Sequence, residues 1–491
     1  MLMEILGFSR TTDLKAFLAV SAVVVAFASP LFAQEESEQQ TSVEVAGFEE
    51  GESLEERVER LEAALRQSDE GFISQVIQAA YQDDSGKLKK PTFLLGGRIH
   101  LDQLYFADHS DGISAFEDPA NGEDPEDRIF FRRIRLEFQG DVPGDMHYRF
   151  QVDFNNPQTP EYKDMYIGFN QLPIFNTVRI GNQKRPLGLD HLNSSRFNVF
   201  MERPLLVETF NPDARRIGIA SYNSLAEDDA LNLTYGAFSL ENTRSDGRLI
   251  GDSMQWSLNG RLHSSPMHSD DGTQYLHLAV AGMFAKPDGD VGPNETNRNE
   301  GRFATRNELR SSTSWLDTGR IAGADWYQVL GLEMLYNEGP LQIVGEYAFT
   351  WTQRDNDTPG TGSDLFFNGA YAYIAYMLTG EHIPYNRKSG TIGRVKPFRN
   401  FGPFTPGSSE DYETGWGAWQ LALRYSYLDL TDEDIRGGVG NNLTAGVVWY
   451  FNPYSSLQFN AVYGDIRDHE ATRGFTDGHF TGLTTRLRVD F

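Results

Sequence analysis

From residue 92 to residue 491 the chain is built of short segments whose residues alternate in character one by one, and the connections between them alternate between short and long. The stretch "FRRIRLEFQG" at 131–140 shows the pattern. One parity carries Arg133, Arg135, Glu137 and Gln139, and the other carries Ile134, Leu136 and Phe138. A period of two describes a β-strand with one charged face and one apolar face. Such segments are predicted at 93–105, 128–140, 146–156, 161–170, 176–184, 215–223, 230–240, 252–264, 273–285, 326–338, 340–352, 368–380, 415–430, 441–451, 455–466 and 479–491, sixteen in all. Tight turns stand at 141–145, 171–174, 337–340 and 452–455, with long connections at 106–127, 185–214, 286–325, 353–367 and 467–478. A soluble β-protein has no reason to segregate its turns by length. A barrel that crosses an outer membrane does, with strands of roughly 9–11 residues. The predicted fold is therefore an all-β transmembrane barrel of about sixteen antiparallel strands.

The last strand agrees with this. "TGLTTRLRVDF" sets Leu483, Leu487, Val489 and Phe491 on one face and Arg486, Arg488 and Asp490 on the other. An amphipathic strand ending in an aromatic residue resembles the assembly signal of bacterial outer-membrane proteins. Outward faces of the same make are predicted at Leu421, Leu423, Tyr425 and Tyr427, and at Leu443, Ala445, Val447, Trp449 and Phe451. A mean hydropathy of −0.46 with 12% aromatic residues fits apolar residues spread thinly by alternation.

The N-terminus sets the compartment. Arg10 and Lys15 precede an apolar run from Ala16 to Ala28, followed by Pro30 and a small residue, Ala33. This reads as a signal peptide over 1–33; the run is short of the about 20 residues that a membrane-spanning helix needs. Residues 34–91 read as an acidic, periplasmic linker, then a helix with Leu54, Val58, Leu61 and Leu65 at heptad spacing. That spacing fits a short coiled coil or a lone amphipathic helix. The chain has no cysteine, so an exported protein of this kind rests on burial or on membrane insertion and not on disulfides.

With 43 Lys+Arg against 70 Asp+Glu the chain is acidic, which excludes nucleic acid as a partner. Arginine on strand faces then needs a reason. A Lys or Arg facing lipid at mid-membrane costs about 2–4 kcal/mol. Arg133, Arg135, Arg149, Arg179, Arg261 and Arg424 all fall on the polar parity of their strands, so they are expected to face a water-filled interior. There they either select anions or pair with wall carboxylates such as Glu137 and Asp153.

Two connections are unusual. Residues 184–216 hold Lys184, Arg185, Arg196, Arg203, Arg215 and Arg216, together with Phe197, Val199, Phe200, Leu205 and Leu206, which an exposed loop would not need. This loop is expected to pack inside the barrel. Residues 382–409 carry Arg387, Lys388, Arg394, Lys396 and Arg399 and no acid. Counting strands puts this long segment on the short-turn side, so either the count slips by one strand or 381–414 folds into the lumen. The second is preferred.

Blocks in order along 92–491 resemble one known family, the phosphate-selective porins O and P. They are "FRRIRLEFQGDV", "YRFQVDF", "KDMYIGF", "VRIGNQKRPLGLDHLNSSRFNVFMERPL", "YMLTGEHIPYN", "GAWQLALRYSYLDLTD" and "GGVGNNLTAGVVWYFNPYSSLQFNAVYGD". The resemblance implies a homotrimer of sixteen-stranded barrels in the outer membrane, with a loop folded inward and a basic constriction that passes inorganic phosphate or similar anions. Arg132, Arg133, Lys184, Arg185, Arg196 and Arg203 lie in the matching blocks and take that role by resemblance.

Other chemistry is thin. The ten histidines include "HSSPMH" at 263–268 without metal-ligand spacing. The acidic run 118–127 reads as a solvated charge cluster, and no nucleophile motif occurs. Neither an enzyme nor a cofactor is expected. The candidate pore-lining residues are Arg132, Arg133, Arg135, Arg179, Lys184, Arg185, Arg196, Arg203, Arg215, Arg216, Arg387, Lys388, Arg394, Lys396 and Arg399. Two alternatives stand beside an anion-preferring porin: a porin of other selectivity, in which loop acids cancel the basic groups, and a structural outer-membrane barrel tethered through its coiled coil.

Overall fold

Residues 89–212, 215–243, 255–289, 299–355, 357–358, 360–402 and 415–491 are described from a computed structural model. The predicted signal peptide and nearly all of the 34–91 segment lie outside them.

Sixteen antiparallel strands close into one barrel. In chain order they are β1 (Leu94–His109), β2 (Arg128–Val142), β3 (Met146–Asp153), β4 (Glu161–Leu172), β5 (Asn176–Lys184), β6 (Arg215–Ser224), β7 (Leu231–Ser239) and β8 (Trp256–His268). The second half runs β9 (Gln274–Lys286), β10 (Ala324–Glu338), β11 (Leu341–Arg354), β12 (Leu365–Met377), β13 (Ala418–Asp432), β14 (Ile435–Asn452), β15 (Ser455–His469) and β16 (Gly478–Asp490). Each predicted segment corresponds to one of these strands. Pairing of β1 with β16, from Arg98 opposite Asp490 to His109 opposite Phe480, closes the ring. Closure leaves no edge, so every backbone donor and acceptor at membrane depth is met within the sheet.

Alternation sorts the side chains. Ile99, Ile129, Phe131, Ile167, Ile180, Leu278, Leu332, Ile374, Leu423, Leu443, Leu483 and Leu487 face outward and are exposed, as an apolar belt in lipid must be. The opposite parity is polar and buried inside, including Arg98, Arg135, Arg261, Arg424, Arg486 and Arg488. Aromatic clusters mark both rims. Trp256, Phe284 and Trp326 pack together near the long loops, and Trp419, Trp449 and Phe451 near the short turns. These are the interfacial girdles of a spanning barrel.

One boundary differs from expectation. The strand predicted at 441–451 begins at Ile435, after a tight hairpin with Glu433 at φ +46 on the long-loop rim. The glycines of "GGVG" fall before the predicted segment, but they belong to the wall. A Cβ on Gly440 would stand 2.4 Å from Leu316 Cδ1, and one on Gly446 would stand 3.2 Å from Phe200. Glycine in these strands marks where another part of the chain approaches closely.

Three long connections supply that approach. The 185–214 loop carries two short helices, α2 (Leu189–Leu192) and α3 (Leu205–Phe210), after an earlier one, α1 (Asp111–Glu117). Its α3 packs on β11, β12 and β13, with Val199, Phe200, Leu205, Leu206 and Phe210 buried. Burying each such side chain contributes roughly 1.5–3 kcal/mol. The connection between β9 and β10 buries Phe303, Leu309, Trp315 and Leu316, and the Trp315 indole donates to Glu117 at 2.8 Å.

The third is the connection between β12 and β13, whose position on the short-turn side is fixed by the strand order. Ile383, Ile392 and Val395 are buried. Tyr275 Oη donates to the Ile383 carbonyl at 2.6 Å, and the Ile392 N–H donates to Asn193 Oδ1 of the 185–214 loop at 3.0 Å. The strand count therefore stands, and this basic segment folds into the barrel over 383–395, whereas Lys396, Phe398 and Arg399 beyond it are exposed.

Candidate functional site

"FRR" is explained by a bulge. The β1–β2 register runs His100 opposite Arg133 and then Leu101 opposite Phe131, so Arg132 is an extra residue. A bulge re-aims side chains, and here Arg132 and Arg133 both turn to the interior while Phe131 keeps its place toward lipid, half exposed. Strict alternation would have sent Arg132 into the membrane.

The two neighbours have different surroundings. Arg132 makes a bidentate pair with Glu202 of the 185–214 loop, Nε to Oε1 at 2.8 Å and Nη2 to Oε2 at 3.0 Å. Arg486 of β16 also reaches Glu202, at 2.7 Å, and forks onto Asp102 at 2.7 and 2.6 Å. Burial alone would raise the Glu202 carboxyl, but Arg132 and Arg486 hold it well below the usual carboxylate range. Arg424 donates to the Glu202 carbonyl at 3.0 Å, lies 4.3 Å over the Phe200 ring and pairs with Glu308. The start of the same loop is held by Glu346, which accepts from the N–H groups of Leu189 and Asp190 at 2.9 and 2.8 Å and from Tyr371 Oη at 2.6 Å. Among the described residues, Arg133 has only His100 Nδ1 within reach, at 3.5 Å.

Between this loop and the wall of β2–β6 lies a cavity of about 1000 Å³. Its lining counts fourteen Arg and Lys against five Asp and Glu, the reverse of the balance of the whole chain. Several of the cations are matched by carboxylates. Arg135 pairs with Asp153 at 2.6 Å, Arg215 with Asp164 at 2.8 Å, Arg149 with Glu137 at 2.8 Å, Arg203 with Asp190 at 3.3 Å and Arg261 with Glu333 at 2.6 Å. Others are not. Among the described residues, Arg133, Arg179, Lys184, Arg310 and Lys388 have no carboxylate partner. Lys184 donates to the carbonyls of His191, Leu192 and Asn193 at 2.7–2.9 Å. The Arg132 guanidinium beside Arg310, with burial, lowers the Arg310 pKa to about 9. Like charges crowded in this way are relieved by an anion.

The family model described as phosphate-selective porin O and P matches residues 105–491. The chain belongs to this family. It is an outer-membrane porin, not an enzyme. It is 25% identical over 431 residues to Porin O of Pseudomonas aeruginosa, covering 82% of this chain and 89% of that protein. It is 28% identical over 371 residues to an uncharacterized protein of Caulobacter vibrioides, covering 73% and 68% respectively. Among solved structures, an anion-selective porin from Comamonas acidovorans superposes with a TM-score of 0.47 at 14% identity, over 82% of this chain and 100% of that one.

Within this porin, Arg132, Arg133, Arg135, Arg179, Lys184, Arg203, Arg215 and Lys388 line the cavity. The other predicted residues do not. Arg196 and Arg394 share a small cleft with Arg488 and Asp490, Arg196 reaching Glu137 at 2.7 Å and Arg394 pairing with Asp490. Arg185 and Arg216 are buried behind the lining, against Met283 Sδ at 3.6 Å and the Leu240 carbonyl at 2.6 Å. Arg387 pairs with Asp228 at 2.9 Å, and Lys396 and Arg399 are exposed. Arg98, Lys163, Arg306 and Arg310 join the lining without having been singled out in sequence. For Arg306 and Arg310 the usable signal was the apolar content of their loop, Phe303, Leu309, Trp315 and Leu316, the same sign that marks the 185–214 loop as internal.

Proposed function

We propose that this porin gives passive, anion-preferring diffusion of phosphate or related oxyanions through the basic-lined cavity. The observation that carries the reading is the set of lining cations without a carboxylate partner, Arg133, Arg179, Lys184, Arg310 and Lys388, in a chain of net charge −27. A ring of Arg and Lys selects for anions, and a guanidinium fork meets two oxygens of an oxyanion at once. The family's description points the same way. We assign the lining role to the predicted residues that reach the cavity, and propose a homotrimer in line with the family resemblance. The 1–33 segment is assigned as a cleaved signal peptide and 34–91 as a periplasmic linker with a short coiled coil.

A second reading is favoured by the ion pairs. Arg132, Arg135, Arg149, Arg203, Arg215 and Arg261 are each matched by an acid, which suits a general porin with weak preference. Reversal potentials in a potassium chloride gradient across a planar bilayer, followed by titration with phosphate, separate the two. A chloride-selective potential with phosphate block supports the oxyanion reading, with Arg133→Ala weakening the block. A cation-selective or neutral potential without block leaves the general porin.

A further inference from the structure

Arg179 stands apart from the other lining cations. It is the fourth residue of β5, at the short-turn end of the barrel, whereas Arg132, Arg133 and Arg310 belong to the half nearer the long loops. Its guanidinium lies over two phenol rings, 4.9 Å from the centroid of Tyr166 and 4.3 Å from that of Tyr222. Its Nε donates to His147 Nε2 at 3.3 Å. Tyr222 is fixed in turn by its hydroxyl, which donates to Gln183 Oε1 at 2.9 Å. Arg179, Tyr166, Tyr222 and His147 all line the cavity. Asp141 is the register partner of His147, and Asp164 acts on Arg179 through its charge; neither makes an ion pair with it.

Two rings against the guanidinium and an imidazole at Nε fix its plane, the Tyr222 hydroxyl takes one of its donors, and the remaining terminal N–H groups have no carboxylate partner among the described residues. Stacking on aromatic faces holds a guanidinium flat, and a flat, pre-oriented edge binds two oxygens of one anion in parallel. The Tyr166 hydroxyl makes no hydrogen bond among the described residues and lines the same cavity, where it is a further donor. A spherical ion such as chloride has no use for the fork; an anion with two oxygens on one atom does.

We propose that Arg179, clamped by Tyr166 and Tyr222, is a discrete oxyanion subsite at the short-turn end of the cavity. It discriminates phosphate from chloride by the shape of its fork and not by its charge alone. This rests on the anion-porin reading and deepens it, because it gives phosphate a second station, separate from the cations around Arg133, from which it leaves or enters on the short-turn side.

The test uses the full-length porin in oriented planar bilayers in potassium chloride, with inorganic phosphate added to one side at a time. Arg179→Lys keeps the charge and removes the fork. It is expected to keep the channel chloride-selective, with a shift in reversal potential far smaller than its effect on phosphate, while raising about tenfold the phosphate concentration for half block from the short-turn side. Tyr166→Phe, which keeps the ring and removes only the hydroxyl, is expected to weaken the same block about threefold and to insert normally. Wild-type block in both variants overturns the subsite, as does an equal loss of chloride selectivity in Arg179→Lys. A wild-type channel with neither anion selectivity nor phosphate block overturns the anion reading itself and this site with it, and that failure is recognised because it appears before any substitution.

Discussion

Arg132 and Arg133 are adjacent in the chain and both face the interior, yet the structure gives them opposite jobs, and replacing each by alanine separates them. Arg133 has no carboxylate partner and lines the cavity. A permeating anion about 6 Å away, at an effective dielectric of about 40, gains roughly 1.4 kcal/mol from its charge, a factor of about ten in local partition. Salt screening over about 10 Å at 0.1 M trims this, so Arg133→Ala is expected to lower the chloride-to-potassium permeability ratio several-fold and to leave thermal stability nearly unchanged. Arg132 is spent on Glu202. Its removal uncovers a carboxylate that is 13% exposed and still held by Arg486 at 2.7 Å. Breaking a buried pair costs about 3–5 kcal/mol, and the remaining arginine keeps the cost near the lower end. Arg132→Ala is therefore expected to lower the temperature at which the 185–214 loop becomes open to protease. The assays are reversal potentials in a potassium chloride gradient and limited proteolysis on a temperature ramp. Equal loss of loop protection in the two variants, or an unchanged potential in Arg133→Ala, would refute the division of labour drawn from the bulge.

Three further outcomes follow from the packing of the internal loops. Gly440→Leu drives a side chain into Leu316 and is expected to cost about 1–3 kcal/mol as overpacking, read as a lower unfolding temperature in detergent and noisier single-channel current. Glu346→Ala strands the N–H groups of Leu189 and Asp190 and the Tyr371 hydroxyl. At about 1–3 kcal/mol for a buried group left unmade, cleavage within 185–214 should become measurable at room temperature while the barrel stays intact. The depressed Glu202 carboxyl fixes a pH response. A lowered folded pKa means that its stabilisation is complete above the ordinary carboxylate value and is lost only as pH falls through the lowered one. Protease protection of the loop should thus persist at about pH 4 and disappear in stronger acid, and an onset near pH 5 would contradict the clamp.

How much of this was legible in the sequence depended on which periodicity carried the information. A period of two is imposed by the pleat wherever one face meets lipid and the other water, so all sixteen strands, the outward Leu483, Leu487 and Val489, and the inward Arg486 and Arg488 could be read directly. Turn chemistry was legible for the same local reason. What could not be read is whatever depends on a partner distant in the chain. That "GGVG" belongs to the wall cannot be seen until Leu316 is known to lie against Gly440. Arg394 and Arg196 look like pore lining until Asp490 and Glu137 are seen to absorb them.

The bulge at Arg132 is the sharpest case. Alternation counted from Arg133 sends Arg132 outward, where its charge would cost about 2–4 kcal/mol in lipid. One extra residue in β2 turns it inward instead, onto Glu202, seventy residues away in the chain. Two consecutive arginines in a membrane strand are therefore themselves a sign of a bulge, since a regular strand has no way to keep both from the lipid. The loop acid that answers one of them, Glu202, could have been sought for the same reason: a cation set by the wall's geometry and not by the pore's selectivity needs a counter-charge on whatever packs against that wall. The arginine left over, Arg133, is then the one free to meet an anion.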